Sequence, residues 1–219
     1  MVDRQLLAGS ALFAGLSEDE LDAIVAASSR RDLRRGDVLF AEGDDSEQLF
    51  LVESGRIAMS QRSADGRESV IALMERGDLF GEMPLFDGLG RSTEARALEP
   101  SVVTVVPYEP VQQIYDDRPG LLWSVVALLS HRLRTTDSAL ADSVFLDVTG
   151  RTAKRLLELA GDQDEFVLPV TQEELAGMVG ASRERVNKAI ASFVRLGWIG
   201  QSDRRYAILD REQLTRRAR

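Results

Sequence analysis

Between Arg31 and Val106 apolar residues come in short runs, VLFA, LFLVES, RIAMS, SVIALM and SVVTVV, each broken off by a turn signal such as Gly36-Asp37, Gly43-Asp44, Asp65-Gly66 or Gly77-Asp78. Runs rich in β-branched and aromatic residues, bounded by Gly-Asp pairs, read as strands, and many short strands at regular spacing close into a β sandwich or barrel. Residues 3–28, just before them, have a different texture. Leu6, Leu7, Leu12, Leu16, Leu21 and Ile24 are spaced for one face, and Ser17 followed by Glu20 is a capping box, so this segment reads as short helices packed on the strands.

After Pro119 the pattern turns helical for more than twenty residues, and Leu122, Val126, Leu129, Leu133, Thr136 and Leu140 recur at alternating intervals of four and three. That alternation is the seam of a coiled coil, and its regularity favours a homodimer over a helix laid on the β domain. One apolar slot of the seam holds Thr136, followed by Asp137. These polar groups need partners: either they fix the register of the helix pair, or they meet a polar ligand bound against it.

In the last third, GRTAKRLLELA at 150–160 is amphipathic and ends at Gly161, and a loop around Pro169 comes next. Thr171, with Glu174 three residues on, caps a helix that Gly180 breaks, and Ser182 caps the next, SRERVNKAIASFVRLG. This is the outline of a helix–turn–helix, with small Ala176 at the crossing and Val179, Val186, Ile190 and Phe193 on the buried face. Arg183, Glu184, Asn187 and Lys188 share one polar face, the first two in the opening turn, where a helix enters the major groove. Arg or Lys can donate to guanine while Glu accepts from cytosine N4, which makes sense of an acid inside a basic face. Trp198-Ile199 and Tyr206–Leu209 flank the polar turn Gln201–Arg205 as two strands of a wing, with Arg204 and Arg205 near its tip. These two, and the tail residues Arg216, Arg217 and Arg219, could touch phosphates or simply be solvated.

Charge follows the same division. The chain carries −9 overall; from Val148 onward there are 13 Lys and Arg against 10 Asp and Glu, a net +3, which leaves −12 for residues 1–147. A mildly basic C-terminal part on an acidic N-terminal one suits a polyanion partner for the former. The 219 residues allow one large or two modest domains. With no Cys the chain has no disulfide, iron–sulfur cluster, thiolate zinc site or cysteine nucleophile, and the single His131 supplies no metal-binding pair. His131 sits at an outer position of the seam helix, reads as surface or packing and is a poor lone ligand for haem. No stretch approaches the 18 or so apolar residues of a membrane span and the N-terminus lacks a signal pattern, so cytoplasm is the expected location.

The remaining segment, GDLFGEMPLFDGLGRST at 77–93, packs glycines, Glu82 and Arg91 around a short turn. Exposed backbone N–H groups and a guanidinium can bind phosphate while a carboxylate accepts from sugar hydroxyls; an internal Glu82–Arg91 salt bridge is the plainer alternative. This segment resembles the phosphate-binding cassette of cyclic-nucleotide-binding domains. SVFLDVTGRTAKRLLELA and VTQEELAGMVGASRERVNKAI resemble the hinge and helix–turn–helix of the CRP/FNR transcription regulators, and the order of the two halves is also theirs. The resemblance runs from about residue 10 to 209.

The resemblance implies an α+β fold: an N-terminal cyclic-nucleotide-binding β-roll (jelly roll) at 1–118, a long dimerisation helix at 119–145 and a C-terminal winged helix–turn–helix domain at 146–219. It implies cyclic AMP as an allosteric ligand, with no metal, haem or iron–sulfur cluster. Glu82 would hold the ribose 2′-hydroxyl, and Arg91 and Ser92 with the Gly81–Met83 region the cyclic phosphate. Thr136 of one chain and Asp137 of the other would hold the adenine amino group. Ligand would act through a hinge near Phe145–Asp147. Double-stranded DNA would be read by Arg183, Glu184 and Lys188, with Thr171, Gln172, Ser182, Arg185 and Asn187 also at the interface, on a palindrome like TGTGA/TCACA. RNA polymerase is an implied partner, and residues 148–219, being spent on DNA binding, leave no room for a catalytic domain. Asp137 stands where the family's cyclic AMP binders commonly carry Ser or Asn, and Glu94 adds an acid near Arg91. A regulator of the same fold with another ligand or none therefore stays open.

Overall fold

The computed structural model describes residues 2–62 and 68–219, so the Asp65-Gly66 turn lies outside the described residues. Cα proximity divides the chain into two bodies, one made of 2–61 and 71–133, the other centred on 134–219.

The first body opens with helices α1 (Arg4–Gly9) and α2 (Glu18–Ala27), the second started by the full Ser17–Glu20 capping box. Strands β1 (Ser29–Leu33), β2 (Val38–Phe40), β3 (Gln48–Ser54), β4 (Ile57–Arg62), β5 (Glu68–Met74) and β6 (Leu79–Phe80) come next. Then come a one-turn helix α3 (Met83–Asp87), β7 (Glu94–Ala97), β8 (Ser101–Pro107), α4 (Tyr108–Asp117) and the long α5 (Leu122–Phe145), whose residues from Arg134 onward belong to the second body. The strands form two four-stranded sheets in the orders β1-β8-β3-β6 and β2-β7-β4-β5. All five runs that read as strands in the sequence are strands.

Strand β3 shows why these two layers form. It is apolar on both faces: Phe50 and Val52 point between the sheets, where Phe50 stacks on Phe80 with ring centroids 5.4 Å apart, joined by Phe40, Ile57 and Val103. Leu49 and Leu51 point outward and are covered by Leu7, Ile24, Val111 and Val125 of the helices. A continuous apolar run is the mark of a strand buried on both sides. Strand β7 is not legible in the sequence, because Glu-Ala-Arg-Ala has helical propensity; the sheet overrides it, with Ala95 and Ala97 fully buried against the core.

The second body contains α6 (Val148–Ala160), β9 (Glu165–Val167), α7 (Gln172–Val179), α8 (Arg183–Arg195), β10 (Ile199–Ser202), β11 (Arg205–Ile208) and α9 (Arg211–Arg217). The wing has three antiparallel strands in the order β10-β11-β9. The expected loop around Pro169 thus contains a strand just before it, and the expected turn at 201–205 shrinks to Asp203-Arg204, with Asp203 at φ 54°. The Arg-rich tail is helix α9, its Leu214 fully buried. Among the described residues no helix is long and apolar enough to cross a membrane.

Candidate functional site: a nucleotide cassette and a DNA-reading head

The cassette lies between β6 and β7. Gly81 ends β6 at φ +78°, and a Cβ there would stand 2.5 Å from Arg91 Nη1, so only glycine lets the guanidinium come this close. Arg91 is 5% exposed. Its Nη1 donates to the Gly81 carbonyl at 2.8 Å and to Tyr108 Oη at 3.3 Å, and its Nη2 donates to the Gln48 carbonyl at 2.6 Å. The guanidinium also lies 4.1 Å from the centroid of the Phe40 ring. Burial pushes the Arg91 pKa down, opposed mainly by Tyr108.

Glu82 follows at 0% exposure, and its salt bridge is to Arg132 rather than to Arg91, the plainer alternative. Its Oε1 accepts from Nη1 of Arg132 on α5, whose Nη2 donates to the Leu79 carbonyl at 2.6 Å. Oε2 of Glu82 is buried with no hydrogen-bond partner among the described residues. A buried carboxylate oxygen with a spare lone pair is an acceptor awaiting a donor. Desolvation raises the Glu82 pKa even against the charge of Arg132. Met83 and Ser92 close the cassette, with Ser92 Oγ 3.9 Å from Met83 Sδ. Glu94 turns to Arg96, 3.5 Å away.

The cassette therefore brings Gly81, Glu82, Met83, Arg91 and Ser92 together. Thr136 and Asp137 are exposed on α5, as is His131. Sequence reasoning missed two participants. Arg132 precedes Thr136 by one helical turn, which is the signal that could have found it. Tyr108 carries no such signal: it is placed by the fold, its hydroxyl contacting Ser46 Oγ at 2.7 Å.

The reading head is built as its caps dictate. Thr171 and Glu174 form a reciprocal capping box on α7, Gly180 ends that helix in the left-handed conformation, and Ser182 Oγ accepts from the Arg185 N–H on α8. Leu175, Ala176 and Val179 bury against Val186, Ala189, Ile190 and Phe193. This fixes the opposite face of α8 outward, leaving Arg183, Glu184, Arg185 and Lys188 exposed and Asn187 half-buried. Gln172, at the start of α7, donates to Tyr206 Oη at 3.2 Å and so ties the helices to the wing. Thr171, Gln172, Arg183, Asp203 and Arg204 line one groove of about 290 Å³. Arg204 donates to the Leu168 carbonyl at 2.9 Å, so it braces the wing, while Arg205 is exposed.

Residues 30–118 match the cyclic nucleotide-binding domain and residues 150–217 the Crp-like helix-turn-helix domain. These two parts define a DNA-binding transcription regulator with a cyclic nucleotide-binding domain. The chain is 37% identical over 222 residues to the CRP-like cAMP-activated global transcriptional regulator of Mycobacterium tuberculosis H37Rv, covering 98% of this chain and 99% of the relative. Among solved structures it is similar to the Thermus thermophilus catabolite activator protein, with 30% identity, a TM-score of 0.54 and coverage of 95% and 98% of the two chains. It is also similar to the c-di-GMP responsive global regulator CLP of Xanthomonas campestris, with 26% identity, a TM-score of 0.75 and coverage of 88% and 99%. The chain belongs to the CRP/FNR family of transcription regulators.

Proposed function

We propose that the chain is a homodimeric regulator whose affinity for a palindromic operator resembling TGTGA/TCACA is controlled by cyclic AMP. The observation that carries this reading is the pair of buried, oppositely charged groups in the cassette. Arg91 offers a guanidinium held at the Gly81 turn, fitted to a cyclic phosphate, and Glu82 offers the unpartnered Oε2, fitted to a ribose 2′-hydroxyl. Ser92 adds a hydroxyl to the phosphate, Met83 lines the site, and Thr136 with the partner chain's Asp137 takes the adenine amino group. The M. tuberculosis relative, by its name, is activated by cyclic AMP.

The domains are a ligand-binding β-roll at 1–118, a dimerisation helix at 119–145 and a DNA-binding head at 146–219. The apolar seam supports the dimer: Leu122, Val126, Leu129, Leu133 and Leu140 are between 40% and 64% exposed in a single chain. Arg183, Glu184 and Lys188 read bases, and Thr171, Gln172, Ser182, Arg185 and Asn187 contact backbone and groove wall. Bound nucleotide shifts the population toward the operator-binding orientation, and the protein acts on transcription through RNA polymerase in the cytoplasm, without catalysis.

Calorimetric titration of the nucleotide-free protein tests the ligand, with cyclic GMP and c-di-GMP as comparisons. Cyclic AMP is expected to bind at one per chain and more tightly than either. Preference for c-di-GMP would transfer control to the ligand named for the CLP regulator, and no binding by any of the three would leave a regulator with another signal or none.

A further inference from the structure

The C-terminal helix α9 is fastened to α6 at both of its ends. At its start, Arg211 donates Nη1 to the Gly161 carbonyl at 2.9 Å and Nη2 to the Gln163 carbonyl at 2.7 Å, and its Nε reaches Asp164 Oδ1 at 3.2 Å. These groups lie just past the C-terminus of α6. At its other end, Arg217 Nη2 donates to both carboxylate oxygens of Asp147. Asp147 is the N-cap of α6, its Oδ1 accepting from the Gly150 N–H at 2.8 Å. Between the two, buried Leu214 anchors α9, and a Cβ on Gly150 would stand 3.0 Å from Arg217 Nη1 and 3.1 Å from the Arg217 carbonyl oxygen.

Asp147 is also one of the two residues that join α5 to α6. The other, Leu146, gives its carbonyl to Arg151 Nη1 at 2.7 Å, and Arg151 Nε donates to the Val179 carbonyl at the end of α7 at 2.8 Å. The junction is thus gripped by the tail helix through Asp147 and linked to the reading head through Arg151.

We propose that Arg217 is a positioning residue for nucleotide control: by locking Asp147 it makes α6 move with the α5–α6 junction, so that a change at the junction reaches α7 and α8 without being lost in a loose helix start. This rests on the reading of the chain as a nucleotide-controlled DNA-binding protein. It assigns Arg217 a place inside the protein and not on a DNA phosphate.

The experiment uses the full chain and its variants Arg217→Ala, Arg217→Lys, Asp147→Asn and the Arg217→Ala/Asp147→Asn double. Operator affinity is measured by fluorescence anisotropy with and without cyclic AMP at several salt concentrations, and circular dichroism checks folding. Arg217→Ala is expected to lower the ratio of the two affinities about tenfold, within the usual range of allosteric couplings, with the salt slope unchanged. Arg217→Lys should keep most of the ratio, Asp147→Asn should lose as much as Arg217→Ala, and the double should lose no more than either, because one contact is being removed. An unchanged ratio overturns the proposal. A salt slope smaller by about one with the ratio intact also overturns it, as it makes Arg217 a phosphate contact. A wild-type ratio of one with cyclic AMP bound overturns nucleotide control itself, and this proposal with it.

Discussion

Burial takes Glu82 wholly out of water, and the cost of keeping a carboxylate there outweighs the attraction of Arg132, so its pKa is raised above the ordinary 4.5. A carboxyl whose folded pKa exceeds its unfolded value binds protons more readily in the native state, so its contribution to stability falls as pH rises through the folded pKa and is constant above it. Glu82→Gln removes this desolvation cost while keeping an acceptor of the same shape. The variant is expected to melt no lower than the wild type at neutral pH, and to lose the wild type's gain in stability on mild acidification. Its cyclic AMP affinity should drop about tenfold or more, the value of a hydrogen bond to a charged acceptor. In the wild type that affinity should begin to weaken at a higher pH than an ordinary carboxylate would dictate, as Glu82 protonates. Melting curves and calorimetry across pH check both, and a melt several degrees lower at neutral pH would show that the pairing with Arg132 outweighs the cost of burial. Glu82 and Arg91 are legible in the sequence as a pair of charges in a glycine-rich turn. Their actual partners are not, since Arg132 lies 50 residues from Glu82 and meets it only through the packing of α5.

The helix–turn–helix is readable almost to the residue because its information is local. Both N-caps, the Glu174 of the capping box and the Gly180 stop lie within one turn of the backbone groups they satisfy. Gly180 shows how firmly. Its φ of +67° and ψ of 44° are left-handed, and the Ala181 N–H returns to the Ala176 carbonyl at 3.1 Å to close the turn. No atom would meet a Cβ at this position, so Gly180→Ala carries only the conformational cost, about 1–2 kcal/mol. Denaturation is expected to show that loss, with Gly180→Asn milder because Asn tolerates this region. A loss well beyond it would mean that the turn rearranges. Elements defined by tertiary contacts are harder to read. Helix α9 has a single apolar residue, the fully buried Leu214, among charged and polar neighbours, too few for a periodicity; only the Asp210 cap, accepting from the Gln213 N–H at 3.0 Å, marks its start. Arg216 and Arg217 read as candidate phosphate ligands because a sequence shows charge and not the Glu212 and Asp147 carboxylates that accept from them.

At the scale of the whole molecule the charge distribution limits how DNA can be held. A chain of net −9 gains little from non-specific attraction to a polyanion, and the +3 of residues 148–219 is a modest surplus for one reading head. Useful operator affinity must then come from two heads acting together, which the proposed dimer supplies. Joining two half-site contacts on one rigid partner raises affinity about 100-fold to 10,000-fold without any new contact, provided the spacing allows both to engage. Leu133 tests this cleanly. It sits in the middle of the seam at 61% exposure, so replacing it with Asp does not disturb the interior of a single chain, yet in a helix pair it would bury a charge. Leu133→Asp is expected to sediment as a monomer with an unchanged circular dichroism spectrum, and its operator affinity in saturating cyclic AMP should fall by at least about 100-fold. A variant that stays dimeric would move the interface off this seam. A monomer that keeps full affinity would mean that one head suffices, and the palindromic operator would lose its physical reason.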